Sequence, residues 1–170
     1  IHDFCTLRLG NYLENLLEAS PAPGNQLLQE AFDQYRSYLP IVRQRDLLRR
    51  FVELSLQRKC AALATQQLLK LLKISPTEPS AEELDLAVRV IRFQITVDPE
   101  PARSLLHHNR LKDRLPIELW WEACEAESLR AHPRPTILVE LLRQLHASQA
   151  DRLRLALIVV AIVDKVADRW

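Results

Sequence analysis

Glycine is nearly missing from this 170-residue chain, which has only Gly10 and Gly24, and methionine is missing altogether. Phosphate-cradling P-loops, Rossmann turns and nucleophile elbows each need two or three closely spaced glycines. Two glycines fourteen positions apart can build none of them. Cysteine is scarce too: Cys5, Cys60 and Cys124 are widely separated and lie among apolar neighbours. An odd count without a CxxC pair argues against a disulfide framework and for a reducing, cytoplasmic compartment. No apolar run approaches the roughly 20 residues that a membrane-spanning helix needs. The missing methionine makes Ile1 an unnatural start, so a trimmed chain is expected, one that could have lost a targeting segment. The alternative, methionines omitted because they were modified, would shift every spacing across a missing position by one.

What is present is an ordinary soluble composition, 48% hydrophobic and 26% charged with a net charge of +1. It fits a single domain over residues 1–170 that can bury roughly 70% of its unfolded surface without a staple. The charge is blocky: residues 41–75 sum to +6, while 76–101 and 116–129 each sum to −4. Eighteen of the 23 basic residues are arginine, the side chain suited to bidentate recognition of carboxylate or phosphate.

Proline and short polar caps supply the punctuation. Asp3 caps a first helix to about Glu18, and a second runs from about Asn25 to Ser37. Pro40 opens a stretch to Ile74 that is either one long helix or two with a break near Arg58. Ser75–Pro79 is a linker, and Ser80-Ala-Glu-Glu83 is a capping box that starts the next helix. That helix continues through the β-branched stretch 88–97, which would have no partner as a strand. Asp98-Pro-Glu-Pro101 starts a helix to about Lys112, Pro116 one to about Ala131 and Pro135 one to about His146. A second capping box, Ser148-Gln-Ala-Asp151, opens the last helix.

Leu155–Val163 is apolar at nine consecutive positions, about two and a half helical turns. Such a helix should be enclosed on all sides. The expected architecture is therefore all-α: a compact bundle of about eight or nine short-to-medium helices around a buried hydrophobic C-terminal helix. Proline-opened segments also suit a helical-repeat solenoid, but no self-similar period is present.

Three constellations compete for a function. Arg43, Arg45, Arg49 and Arg50 head the basic stretch and could meet nucleic acid or an acidic protein, although at 100° per residue its charges scatter round the helix instead of lining one face. Trp120 and Trp121 share a face with Ile117 and Cys124, and together with Trp170 they are candidate partner anchors wherever they reach the surface. Glu118, Glu122 and Glu125 stand at helical spacing and suggest an all-α metal-dependent hydrolase, yet no Glu-x-x-His helix accompanies them. His107 and His108 point about 100° apart on a helix, a poor arrangement for one metal. Neither a catalytic residue nor a cofactor or metal site is assigned. The expectation is a non-enzymatic module for protein–protein interaction or regulation, its partner another protein or a second copy. The capping boxes and proline starts are generic to helical proteins and point to no family.

Overall fold

The computed structural model describes residues 8, 11, 26–75, 78–130, 132–147 and 152–167. Among these residues there are eight helices and no strand: α1 (Gln26–Ser37), α2 (Ile41–Gln57), α3 (Ala61–Ile74), α4 (Ala81–Val97), α5 (Pro99–Leu106), α6 (Glu118–Ser128), α7 (Pro135–Ala147) and α8 (Arg152–Ala167). The protein is all-α, as expected. The helix expected over 3–18, the Ser148 capping box and Trp170 lie outside the described residues. By its internal contacts the chain divides into two compact units, Ile1–Val90 and Ile91–Trp170, with the division falling inside α4.

In the first unit, α2 and α3 make the most extensive helix–helix contact among the described residues. Leu47, Leu48, Phe51 and Val52 from α2 are buried, as are Ala64, Leu68, Leu71 and Leu72 from α3. Phe32 of α1 meets Phe51 edge to face at 5.1 Å, the arrangement preferred by ring quadrupoles. Of the two alternatives for the stretch from Pro40 to Ile74, the break near Arg58 is the one present, and its geometry is specific. Lys59 N–H donates to Leu56 O at 3.0 Å and Cys60 N–H to Ser55 O at 2.8 Å. These are the two bonds of a Schellman cap. Its left-handed position, usually glycine, is held by Lys59 at φ 57°.

The Ser80 capping box forms in full: Glu83 N–H donates to Ser80 Oγ at 3.2 Å, and Ser80 N–H to Glu83 Oε2 at 3.0 Å. Glu83 is fully buried, and its carboxylate also receives Nε and Nη2 of Arg45 at 2.8–3.0 Å, tying the start of α4 to α2. A bidentate arginine is what makes burial of that charge tolerable. Gln67, equally buried on α3, has neither amide atom hydrogen-bonded. A buried polar group without a partner costs about 1–3 kcal/mol, so Gln67→Leu is expected to stabilise the protein by about 1 kcal/mol. Chemical denaturation measures this, and a destabilised variant would contradict the reading.

The second unit is organised around α6. It packs on α5, α7 and α8, and Leu119, Trp120, Trp121, Ala123, Cys124, Glu127 and Ser128 are all buried. Ile91, Leu105, Leu106, Leu111, Ile137, Leu138, Leu141 and Leu145 complete its core. Asp98 caps α5 by accepting Glu100 N–H at 3.1 Å, as expected, but α5 ends at Leu106. Turns follow instead of the helix expected as far as Lys112, held by bonds such as Leu111 N–H to His108 O at 2.8 Å.

The C-terminal helix is not the buried centre expected of it. Among the α8 side chains described, from Leu153 to Asp164, only Ile158 is buried, whereas Leu153, Leu157, Val159, Val160 and Val163 are exposed. An apolar run marks a helix that can be enclosed; which helix is enclosed depends on where large side chains converge. Two tryptophans give α6 more area to bury per turn than the valines and alanines of α8 offer.

Candidate interaction surface

Arginine placement decides what the basic stretch can do. Arg45 is committed to Glu83, and Arg49 donates to Glu82 and to Asp46, each at 2.6 Å. Arg43 and Arg50 are exposed. An open groove of about 800 Å³ runs alongside, lined by Arg49, Arg50 and Arg89 but also by Asp46, Glu53, Glu82 and Asp85. Four carboxylates thus stand against three guanidinium groups in this groove.

The tryptophans are core residues. Trp120 is 2% exposed and Trp121 5%, so neither is the surface anchor that the sequence offered. His107 stands edge-on to Trp120 at 4.9 Å, and the Arg154 guanidinium lies 4.7 Å above the Trp121 ring. Arg154 also donates to Glu125 at 2.6 and 2.8 Å, while Arg92 reaches Glu122 at 3.2 Å. Two members of the acidic series on α6 are thus half-buried partners of arginine, and Glu118 is exposed. Among the described residues no group of three or more His, Cys, Asp or Glu is placed to hold a metal ion.

A separate ionic cluster, invisible as a motif, closes one end of the second unit. Arg134 lies at its centre. Its Nη2 reaches Glu127 at 2.6 Å and Asp98 at 2.8 Å, and its Nη1 reaches Glu100. Arg134 N–H donates to Glu127 Oε1 at 2.7 Å, and Arg130 adds a contact to Asp98 at 2.9 Å. The Glu127 side chain has no solvent exposure. Its hydrogen bonds, aided by Asp98 and opposed by burial, raise the Arg134 guanidinium above its ordinary value and keep it charged.

Burial works against ionisation of Asp98, but the Glu100 N–H and the Arg134 and Arg130 guanidinium groups outweigh it and hold the carboxyl below the usual aspartate range. The folded value is lower than the unfolded one, so this stabilisation is complete above the ordinary aspartate value and is lost as pH falls through the folded value. Asp98→Asn is therefore expected to be less stable than the parent at pH 6, with the gap closing towards about pH 3. Parallel thermal melts across that range test it; a gap that persisted undiminished at pH 3 would contradict the assignment.

Burial also sets the protonation of Cys124, His107 and His108. Burial, reinforced by Glu125, pushes the Cys124 thiol up to about 12, leaving no thiolate at neutral pH. Burial lowers the value of His107, helped by Arg103 and Lys112 and opposed by Glu140, and lowers that of His108 with help from Arg110. Both rings are therefore neutral near pH 7.

What sequence reasoning missed is the exposed face of α8. At 100° per residue, Val159, Val163, Val160, Leu153 and Leu157 sweep roughly 160° of the helix on the side away from Ile158. Leu153 is 70% exposed and Leu157 63%, with Val160 and Val163 each at 56%. The signal was present in the nine-residue apolar run, but enclosure was only one of its two possible consequences. No described helix is long and apolar enough to cross a membrane. Comparison with protein-family models, curated proteins and solved structures finds no match for the chain.

Proposed function

We propose that this chain is a non-enzymatic helical interaction module of regulatory type that receives a protein partner on the exposed face of α8. The observation that carries the reading is the ring of exposed Leu157, Val159, Val160 and Val163 on one helix. Isolated surface leucines and valines are commonplace, whereas several on one helix face together form the kind of apolar patch that marks interaction sites. Arg45, Arg49, Arg134 and Arg154 are held in ion pairs, and Cys124 lies in the core. The free thiols of Cys60 and Cys124 suit work in the reducing cytoplasm.

The test places a photo-crosslinking amino acid at Val160, with the same residue at exposed Gln66 as control, in the chain expressed in its native cells. A discrete adduct from position 160 alone, lost when Leu157→Glu is added, is the expected outcome. No adduct from position 160, or equal adducts from both positions, would overturn the reading.

A further inference from the structure

We propose that α8 is a strap latched over Trp121 by Arg154, and that it opens on its own while the rest of the second unit stays folded. The inference stands apart from what the outer face of α8 receives.

The latch is built from α6 upward. Trp121 and Glu125 are four residues apart, so they lie one turn from each other on the same side of that helix. A single arginine grips both. Its guanidinium lies 4.7 Å above the Trp121 ring, and its Nε and Nη2 donate to Glu125 Oε1 at 2.8 and 2.6 Å. Beneath that cover Trp121 is 5% exposed. Along α8 itself, Ile158 follows Arg154 by about one turn and Ile162 by about two, with Leu155 alongside. Of these three apolar residues Ile158 is buried, and Leu155 and Ile162 are half-buried.

The free energy needed to open one element follows the apolar area it surrenders. That stripe is much less than the seven buried side chains of α6, two of them tryptophan. The Arg154–Glu125 pair is 42% exposed on both sides, so it adds only the modest hold of a solvated ion pair together with the cation–π contact. A lone helix of 16 residues is marginal in water, and α8 therefore loses most of its amide protection once undocked. Opening uncovers the Trp121 face under the guanidinium and releases Glu125. The open protein thus offers an aromatic and acidic surface on α6, with tryptophan the side chain best suited to anchor a contact. Whatever favours one of the two surfaces shifts the strap between its two positions.

Hydrogen exchange of the full chain under native conditions, read by mass spectrometry, tests the strap. Amides of α8 are expected to exchange at least about 100-fold faster than the slowest amides of α6. Equal rates would mean that α8 opens only with the whole unit, and would overturn the inference. Arg154→Met should speed exchange in α8 by about 3- to 30-fold and leave α5, α6 and α7 unchanged. No change in α8, or the same acceleration throughout the unit, would remove the latch. Ile158→Asp is expected to hold the strap open: α8 becomes nearly unprotected while α5, α6 and α7 keep their protection. Loss of protection across all four helices would make α8 part of the core and overturn the proposal. In a Trp170→Phe background, the same Ile158→Asp change should raise quenching of tryptophan fluorescence by acrylamide, since Trp121 is uncovered. Unchanged quenching would show that α8 does not cover Trp121.

Discussion

Arg134→Met is expected to cost about 3–5 kcal/mol, because it takes the hydrogen-bonded counter-charge from a Glu127 carboxylate with no solvent exposure and leaves it Arg130 at 4.0 Å. The loss is mostly the penalty of an uncompensated buried charge, not the worth of the pair itself. Arg134→Met combined with Glu127→Leu should therefore recover much of it, since removing both charges leaves nothing to desolvate. Asp98 and Glu100 keep part of the double variant's deficit in place, because they too lose a partner. Urea unfolding followed by tryptophan fluorescence reads this unit directly through Trp120 and Trp121. If the single variant lost less than about 1 kcal/mol, the cluster would be an ordinary surface network. A double variant no more stable than the single one would show that Glu127 has another role.

Trp120→Ala should cost a comparable amount, about 3–5 kcal/mol, by removing the largest fully buried side chain in the protein and leaving a cavity on α6. It also removes the edge contact with His107. The informative comparison is Leu157→Ala, which truncates a side chain 63% exposed to solvent. That change should fall within about 0.5 kcal/mol of the parent. The pair separates two roles that aromatic and aliphatic residues share in sequence, core and contact. If Trp120→Ala were tolerated as well as Leu157→Ala, the assignment of α6 as the core helix would fail.

Local signals were legible in the sequence, and distant ones were not. The Ser80–Glu83 box and the Asp98 cap are decided within three residues, so residue type and spacing are enough to find them. The length of the stretch from Pro40 to Ile74 allows a break near Arg58 but equally one long helix, so the break itself is only half legible. By contrast, Arg45 meets Glu83 across 38 positions and Arg134 meets Asp98 across 36. Nothing in the local pattern of charges selects those partners. The same limit explains the exchange of roles between α6 and α8. Composition says how much apolar surface a helix has, but burial goes to the helix with the most neighbours, and that is a property of the assembled unit. Trp120 and Trp121 looked like anchors because tryptophan suits both interiors and interfaces, and only packing separates the two.

Lys59 bears on the unfolded chain as much as on the folded one. A lysine held at φ 57° is strained by about 1 kcal/mol where glycine would be at ease. Glycine there would also enlarge the set of shapes open to the denatured chain, an entropy that must be surrendered on refolding. With two glycines and ten prolines in 170 residues, the denatured ensemble is narrow before any contact forms. The lysine at the α2–α3 turn thus accepts a small native strain within a chain whose disordered state is already confined, so less order has to be created when it folds.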